Sequence, residues 1–158
     1  MTMRPLSSAD RLLLREATLA NMNWNEQRFT FEDVDDVHEI SHYFSSFPSG
    51  RDFGLAYESD GVVTAVAWLV FLPAEDPGYG FVDADTPELS ITTLAASRGQ
   101  GIGSALLSEL ISQARSRGLV GISLSVEDGN RARRLYVRAG FEVVGRNGGS
   151  DTMLLELT

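Results

Sequence analysis

Arg98-Gly99-Gln100-Gly101-Ile102-Gly103-Ser104 stands between a β-branched-rich run at residues 89–94 and a stretch carrying Leu106, Leu107, Leu110, Ile111 and Ala114. The run has the length of a strand, and the three- and four-residue spacing marks one face of a helix. The heptapeptide is therefore a strand-to-helix turn. Glycines let such a turn close with its N–H groups converging, and the helix start adds positive potential. A pyrophosphate is the natural guest, and a tight turn without ligand is the plain alternative. The dinucleotide pattern G-x-G-x-x-G fails, because Ser104 stands where the third glycine belongs. The nucleoside-triphosphate loop fails too, since it needs Lys and every basic residue here is Arg.

Working outward, residues 120–126 alternate apolar and polar as a strand, and residues 130–138 read as a short helix ended by Ala139-Gly140. Residues 141–144 and 153–157 are last strands joined around Asn147-Gly148-Gly149. Upstream, residues 52–58 and 62–72 read as strands joined by Ser59-Asp60-Gly61. Residues 73–87 form a long loop with three Pro and four acids, of the kind that is usually functional. A short strand at residues 3–6, a helix capped by Ser7 or Ser8, and a second helix at residues 32–47 stopped by Pro48 complete the chain. Strands alternating with helices and ending in a hairpin predict an α/β (α+β) sheet protein with mixed pairing.

The chain has 158 residues, 43% hydrophobic and 9% aromatic, which predicts one globular domain over residues 1–158. Without cysteine, disulfides, thiolate metal sites and thiol nucleophiles are excluded. The longest apolar run, residues 62–72, is too short to span a bilayer, and the N-terminus lacks a signal peptide's order. The expectation is a soluble cytoplasmic protein with no membrane partner. A net charge of −9 repels phosphate backbones and argues against nucleic acid. The charge is uneven: residues 1–97 carry 5 Arg and 16 acids, residues 98–158 carry 8 Arg and 6 acids. That division suits a cationic ligand meeting an anionic one.

Two motifs in order sharpen the reading. Arg98-x-x-Gly101-x-Gly103, after a strand and before an apolar helix, resembles the acetyl-CoA signature of the GNAT N-acetyltransferase superfamily. Asn130-x-Ala132-x-x-Leu135-Tyr136-x-x-x-Gly140-Phe141 resembles that family's second signature. The resemblance implies a mixed, mostly antiparallel twisted sheet, split into a V by a β-bulge in its fourth strand and flanked by helices, with acetyl-CoA in the V. It implies that Ile91, Thr92 and Thr93 face the pantetheine arm and thioester. Arg98, Gly99, Gln100, Gly101, Ile102, Gly103 and Ser104 would form the pyrophosphate loop, with Asn130 bonding the pantetheine and Tyr136 near the sulfur. Many members carry Pro three residues before the Arg; here it is Ala95. Dimers are common in the family, so a homodimer is a further expectation.

Acetyl transfer to an amine needs placement, worth roughly 7–11 kcal/mol, an oxyanion donor, expected at the backbone N–H near Thr93 and Leu94, and two proton movements. Tyr136 is the candidate for the departing thiolate. A phenol near ~10 is a poorer acid than a thiol near ~8.5, so Tyr136 either has a lowered pKa or hydrogen-bonds the thiolate. For the base, the family often places a Glu eleven residues before the Arg; here that position is Pro87, and Glu88 comes one step later. One step along a strand flips the face, so Glu88 is a catalytic candidate only if the strand's start turns it back. A second base position used in the family falls on Ser125, which cannot serve. The acceptor pocket is expected from Asn23, Trp24, Asn25, Glu26 and Phe29, and from Glu75, Asp76, Tyr79, Asp83 and Asp85 in the long loop.

His38-Glu39-Ile40-Ser41-His42 matches H-E-x-x-H, which on a helix aims two imidazoles at zinc. By 100° steps from the stripe of Val34, Val37, Ile40 and Phe44, both His fall towards solvent. A third ligand is wanting, since Glu58 lies on a predicted strand, and no metal is expected. Acetyl-CoA as cosubstrate and an amine acceptor are the expected partners. The alternatives are a catalytically silent acyl-CoA-binding module and, remotely, a zinc metalloprotease.

Overall fold

The computed structural model describes residues 2–93 and 101–157. Strand β1 (Thr2–Pro5) leads into a 3-10 turn (Ser8–Asp10) and helix α1 (Arg11–Met22). Ser7 Oγ accepts the Ala9 N–H at 3.2 Å, and the Asp10 carboxylate accepts the Ser7 N–H at 2.8 Å. Helix α2 (Phe31–Asp36) starts with the same reciprocal cap between Thr30 and Asp33.

The single helix expected over residues 32–47 is broken. Val37 is extended, with φ −88° and ψ 108°, and the chain restarts as α3 (His38–Ser41) before turning through to Phe47. Burial outweighs helix continuity here: Val34, Ile40, Tyr43, Phe44 and Phe47 are all buried, while Val37 is turned out. The break also changes the phase of the residues after it. His42, expected towards solvent, is only 9% exposed.

Strands β2 (Phe53–Ser59) and β3 (Val62–Val70) form the expected hairpin. Asp60 and Gly61 both have positive φ, 53° and 78°, the backbone that a two-residue turn between twisted strands requires. The loop 71–87 contains no strand or helix, and it leads into β4 (Glu88–Thr93). Beyond the undescribed stretch come α4 (Ile102–Ser116), β5 (Gly121–Glu127), α5 (Ala132–Ala139), β6 (Glu142–Asn147) and β7 (Ser150–Glu156).

The seven strands make one sheet in the order β1-β2-β3-β4-β5-β7-β6. Every neighbouring pair is antiparallel except β4 with β5. Helices cover both faces. On β3, Val66, Trp68 and Val70 pack with Leu14, Val34, Ile40 and Phe47 of the first helical layer. The alternate residues Ala65, Ala67 and Leu69 pack with Leu106, Leu107 and Leu110 of α4. Burial on both faces explains why this strand is an unbroken apolar run rather than an alternating one. Among the described residues no helix is long and apolar enough to cross a membrane.

The β4–β5 pair is short. Its one register pair is Glu88 with Ser123, and the Ser123 N–H donates to the Pro87 carbonyl at 3.0 Å. Beyond that point no backbone pair joins the two strands among the described residues, and the sheet is split. The split does not come from a bulge within residues 88–93, where β4 keeps an unshifted register with β3 from Glu88–Val70 to Thr93–Ala65. The positions after Thr93, where the expected bulge could still fall, lie outside the described residues.

Candidate active site

The divergence of β4 from β5 opens a cleft of about 890 Å³. β4 lines it from Glu88 to Thr93, and Ser125, Val126 and Glu127 of β5 face it. Asn130, Leu135 and Tyr136 also line it, as do Trp24, Arg28, Phe29, Tyr43 and Tyr79. Strand alternation sorts β4's side chains. Leu89 and Ile91 go to the α4 side, while Thr92 Oγ1 donates to Asn21 Oδ1 at 2.8 Å and to the Ala17 carbonyl at 3.3 Å on the α1 side. Glu88 and Ser90 share Thr92's face by the same parity.

Glu88 is therefore on the side of the first helical layer, and it is turned into the cleft. Its side chain is buried, and its Oε2 accepts the Tyr43 hydroxyl at 2.5 Å while Oε1 accepts the Gly80 N–H at 3.1 Å. The Tyr43 oxygen in turn accepts the Tyr79 N–H at 2.7 Å. Desolvation pushes the Glu88 carboxyl up to about 7, although the bonds from Tyr43 and Gly80 pull the other way. The Tyr43 phenol is raised by burial and by the charge of Glu88.

Tyr136 lines the same cleft and is buried, its ring edge-on to Phe141 at 5.9 Å between centroids. Burial pushes its phenol up to about 12. Of the two alternatives for this residue, the raised pKa goes against the lowered one: among the described residues no positive group offsets the desolvation, which leaves the phenol neutral as a hydrogen-bond donor. Asn130 lines the cleft, and its Oδ1 accepts the Ala132 N–H at 3.0 Å at the start of α5. Its amide nitrogen is without a partner among the described residues.

Only part of the expected anion turn belongs to the described residues. Arg98, Gly99 and Gln100, together with Leu94 and Ala95, lie outside them. Gly101 caps α4 at φ 76°, and a Cβ on Gly103 would sit 3.3 Å from Thr93 Oγ1, so α4 starts tight against the end of β4. Gly101 to Ser104 do not line the cleft itself. The Ile102 side chain is buried in the α4 core, which leaves only its backbone N–H to face a ligand.

The acceptor-side expectations divide as well. Trp24, Asn25, Phe29 and Tyr79 line the cleft, whereas Asn23, Glu26, Glu75, Asp76, Asp83 and Asp85 do not. Several of these have structural tasks. Asn23 Oδ1 accepts the N–H groups of Arg28 and Phe29, both at 2.9 Å. Asp83 holds Thr86 and the Asp85 N–H, and Asp85 meets Arg51. The carboxylates that do face the cleft are Glu88 and Glu127, and Glu127 is bound by Arg28 at 2.7 and 3.1 Å.

The sequence reading missed Tyr43, Gly78 and Gly80. A Cβ on Gly78 would collide with Glu88 Oε1, and one on Gly80 would collide with the backbone of Leu124 and Ser125. Pro77-Gly78-Tyr79-Gly80 was the available signal, since glycines on either side of an aromatic in a long loop mark a close backbone approach.

Among solved structures, the ribosomal-protein-alanine N-acetyltransferase from Brucella melitensis superimposes with a TM-score of 0.69 at 27% identity, covering 99% of this chain and 100% of that one. The protein yncA from Salmonella typhimurium, solved with its cofactor acetyl-CoA, gives 0.68 at 27% identity, covering 100% and 94%. The PaiA N-acetyltransferase from Thermoplasma acidophilum, in complex with coenzyme A, gives 0.68 at 18% identity over 99% of each chain and speaks to the fold alone. No curated protein sequence matches at a significant level. The family model described as the acetyltransferase (GNAT) family matches residues 18–141. With that match and a sheet split between β4 and β5, the chain belongs to the GNAT acetyltransferase family.

Proposed function

We propose that this protein transfers the acetyl group of acetyl-CoA to an amine, with Glu88 as the base, and that its preferred acceptor is an α-amino group. The observation that carries the reading is the Glu88 carboxyl, held by Tyr43 and the Gly80 N–H inside the cleft. The silent acyl-CoA-binding alternative needs Glu88 turned away, and Glu88 lines the cleft.

The cleft suits the cosubstrate. Where β4 and β5 part, no further strand pair joins them among the described residues, and an amide-bearing pantetheine arm can lie between the two strands. Ile91, Thr92 and Thr93 lie along that edge, Asn130 offers an amide N–H, and Gly101 to Ser104 begin a helix at its end. In the reaction the amine nitrogen attacks the thioester carbonyl carbon and the carbon–sulfur bond breaks. The nitrogen's proton goes to Glu88, directly or through water. The departing thiolate accepts a hydrogen bond from the Tyr136 hydroxyl and takes its proton from the medium, because a phenol near 12 is too weak an acid to give one up to a thiol.

Acid–base matching selects the acceptor class. A base near 7 lies about one unit below an α-amine of ~7.7–8.0 and more than three below a lysine ε-amine of ~10.4. The neighbour named a ribosomal-protein-alanine N-acetyltransferase points the same way. The test is free-thiol release from acetyl-CoA with two peptides, one with a free N-terminus and no Lys, the other N-terminally blocked with one Lys. The expected result is faster release with the first. Faster release with the second overturns the acceptor class. No release with either, when acetyl-CoA still raises the unfolding midpoint and a Gly101→Glu variant abolishes that rise, leaves a binding module; at 100 times Kd the rise reflects about 2.7 kcal/mol.

A further inference from the structure

The ion pairs of the described residues share one habit with one exception. Asp10, Asp35, Glu127, Asp128 and Asp151 each take an Arg. Asp76, at the start of the long loop, takes two imidazoles instead: His38 Nε2 lies 2.9 Å from Oδ2, and His42 Nδ1 lies 3.0 Å from Oδ1.

The convergence has a structural origin. His38 and His42 are four residues apart across α3 and the turn that continues it, so their rings meet edge-on, 5.4 Å between centroids. The helix break at Val37 brings the second ring inward, where it packs edge-on to Tyr43 at 4.7 Å between centroids. One ligand atom from each of His38, His42 and Asp76 falls within 4.8 Å of the others. Two neutral imidazoles and a carboxylate are a complete set of three protein donors for a borderline divalent cation, with the remaining position left to water. Among the described residues His42 Nε2 is buried without a partner, but it faces away from Asp76 across the ring and does not bear on the choice.

Among the described residues no Arg pairs with Asp76, so the two imidazoles are its ion-pairing partners.

We infer that His38, His42 and Asp76 form a site for one divalent transition-metal ion of the zinc class, which pins the loop 71–87 to α3. The ion has a structural task. The pinned loop supplies the Tyr79 and Gly80 N–H groups that hold Tyr43 and Glu88. The H-E-x-x-H match thus supplies two ligands, and the third is Asp76 rather than Glu58.

The inference stands apart from the acetyl-transfer reading and is tested without acetyl-CoA. Tag-free, chelator-treated protein is titrated with Zn²⁺ by calorimetry and with Co²⁺ by visible absorption, beside His38→Gln and Asp76→Asn. His38 is exposed, so its replacement leaves the core intact. The expected result is one equivalent bound, Co²⁺ ligand-field bands, and a rise in the unfolding midpoint with Zn²⁺. Each variant should bind at least tenfold more weakly. Binding no tighter in the wild type than in His38→Gln, or none at all, overturns the site and leaves a hydrogen-bonded clasp.

Discussion

The Tyr43 hydroxyl donates to Glu88 Oε2 at 2.5 Å and accepts the Tyr79 N–H at 2.7 Å. A residue of the first helical layer, the first residue of β4 and the long loop thereby meet at one oxygen. Trp68 Nε1 donates to the Tyr43 carbonyl at 2.8 Å, so the same residue is also fixed from beneath by β3. This placement sets the chemistry expected of Glu88.

Glu88 as base gives an activity that rises with pH through about 7. The limb is read in kcat at saturating acceptor, where the free amine's own titration drops out. Glu88→Gln should lower kcat by about 100-fold or more and abolish the limb. Tyr43→Phe removes a bond that favours the ionised carboxylate, so the limb should move up by about one unit. An unchanged midpoint in Tyr43→Phe would show that the bond does not tune Glu88.

The same carboxyl makes stability depend on pH. Its folded-state pKa, about 7, lies above the unfolded value of 4.5, so the folded state keeps the proton longer. Stability should fall as pH climbs from about 4.5 to about 7 and then level off, for a loss of about 3 kcal/mol. Denaturant midpoints across that range should show the slope in the wild type, with this part missing in Glu88→Gln.

Tyr136→Phe should lower turnover about tenfold or more and leave acetyl-CoA affinity nearly unchanged, since only a donor to the thiolate is lost. Because the phenol is pushed up to about 12, no rate limb near neutrality belongs to it. Turnover equal to wild type would reduce Tyr136 to packing against Phe141.

Gly80→Ala puts a Cβ 2.6 Å from the Leu124 carbonyl oxygen and 2.7 Å from the Ser125 nitrogen, both backbone atoms that cannot swing aside. The loop must shift, at about 1–3 kcal/mol, and the Gly80 N–H leaves Glu88. Gly149→Ala, with nothing within 4 Å of its Cβ, is the matched control and should be near neutral. Equal midpoints for the two variants would mean the loop gives way freely.

Local patterns were legible because their physics is local. Asp60-Gly61 can make a two-residue turn in any context, Ser7 caps wherever a helix starts after it, and the stripe Leu106, Leu107, Leu110, Ile111 and Ala114 has one helical face to bury. Tyr136, Glu88, Asn130 and the strand 91–93 were named from sequence, and the fold brings all of them to one cleft. These site residues came from the resemblance of the two motifs to the family's signatures, carried over position by position, and not from composition or periodicity.

The tertiary structure decided what depends on distant partners. The helix over residues 32–47 broke at Val37 because the sheet rewards burying Val34, Ile40, Tyr43, Phe44 and Phe47 together, and a 100° extrapolation cannot see that surface. The same break turned His42 inward to Asp76, which lies 34 residues further along the chain. Tyr43 acquired its task only when β4 and the long loop closed on it, 45 and 36 residues away. Periodicity fixes the faces of an element, whereas the burial of a carboxyl, and so its pKa, is set by what the rest of the chain packs against it.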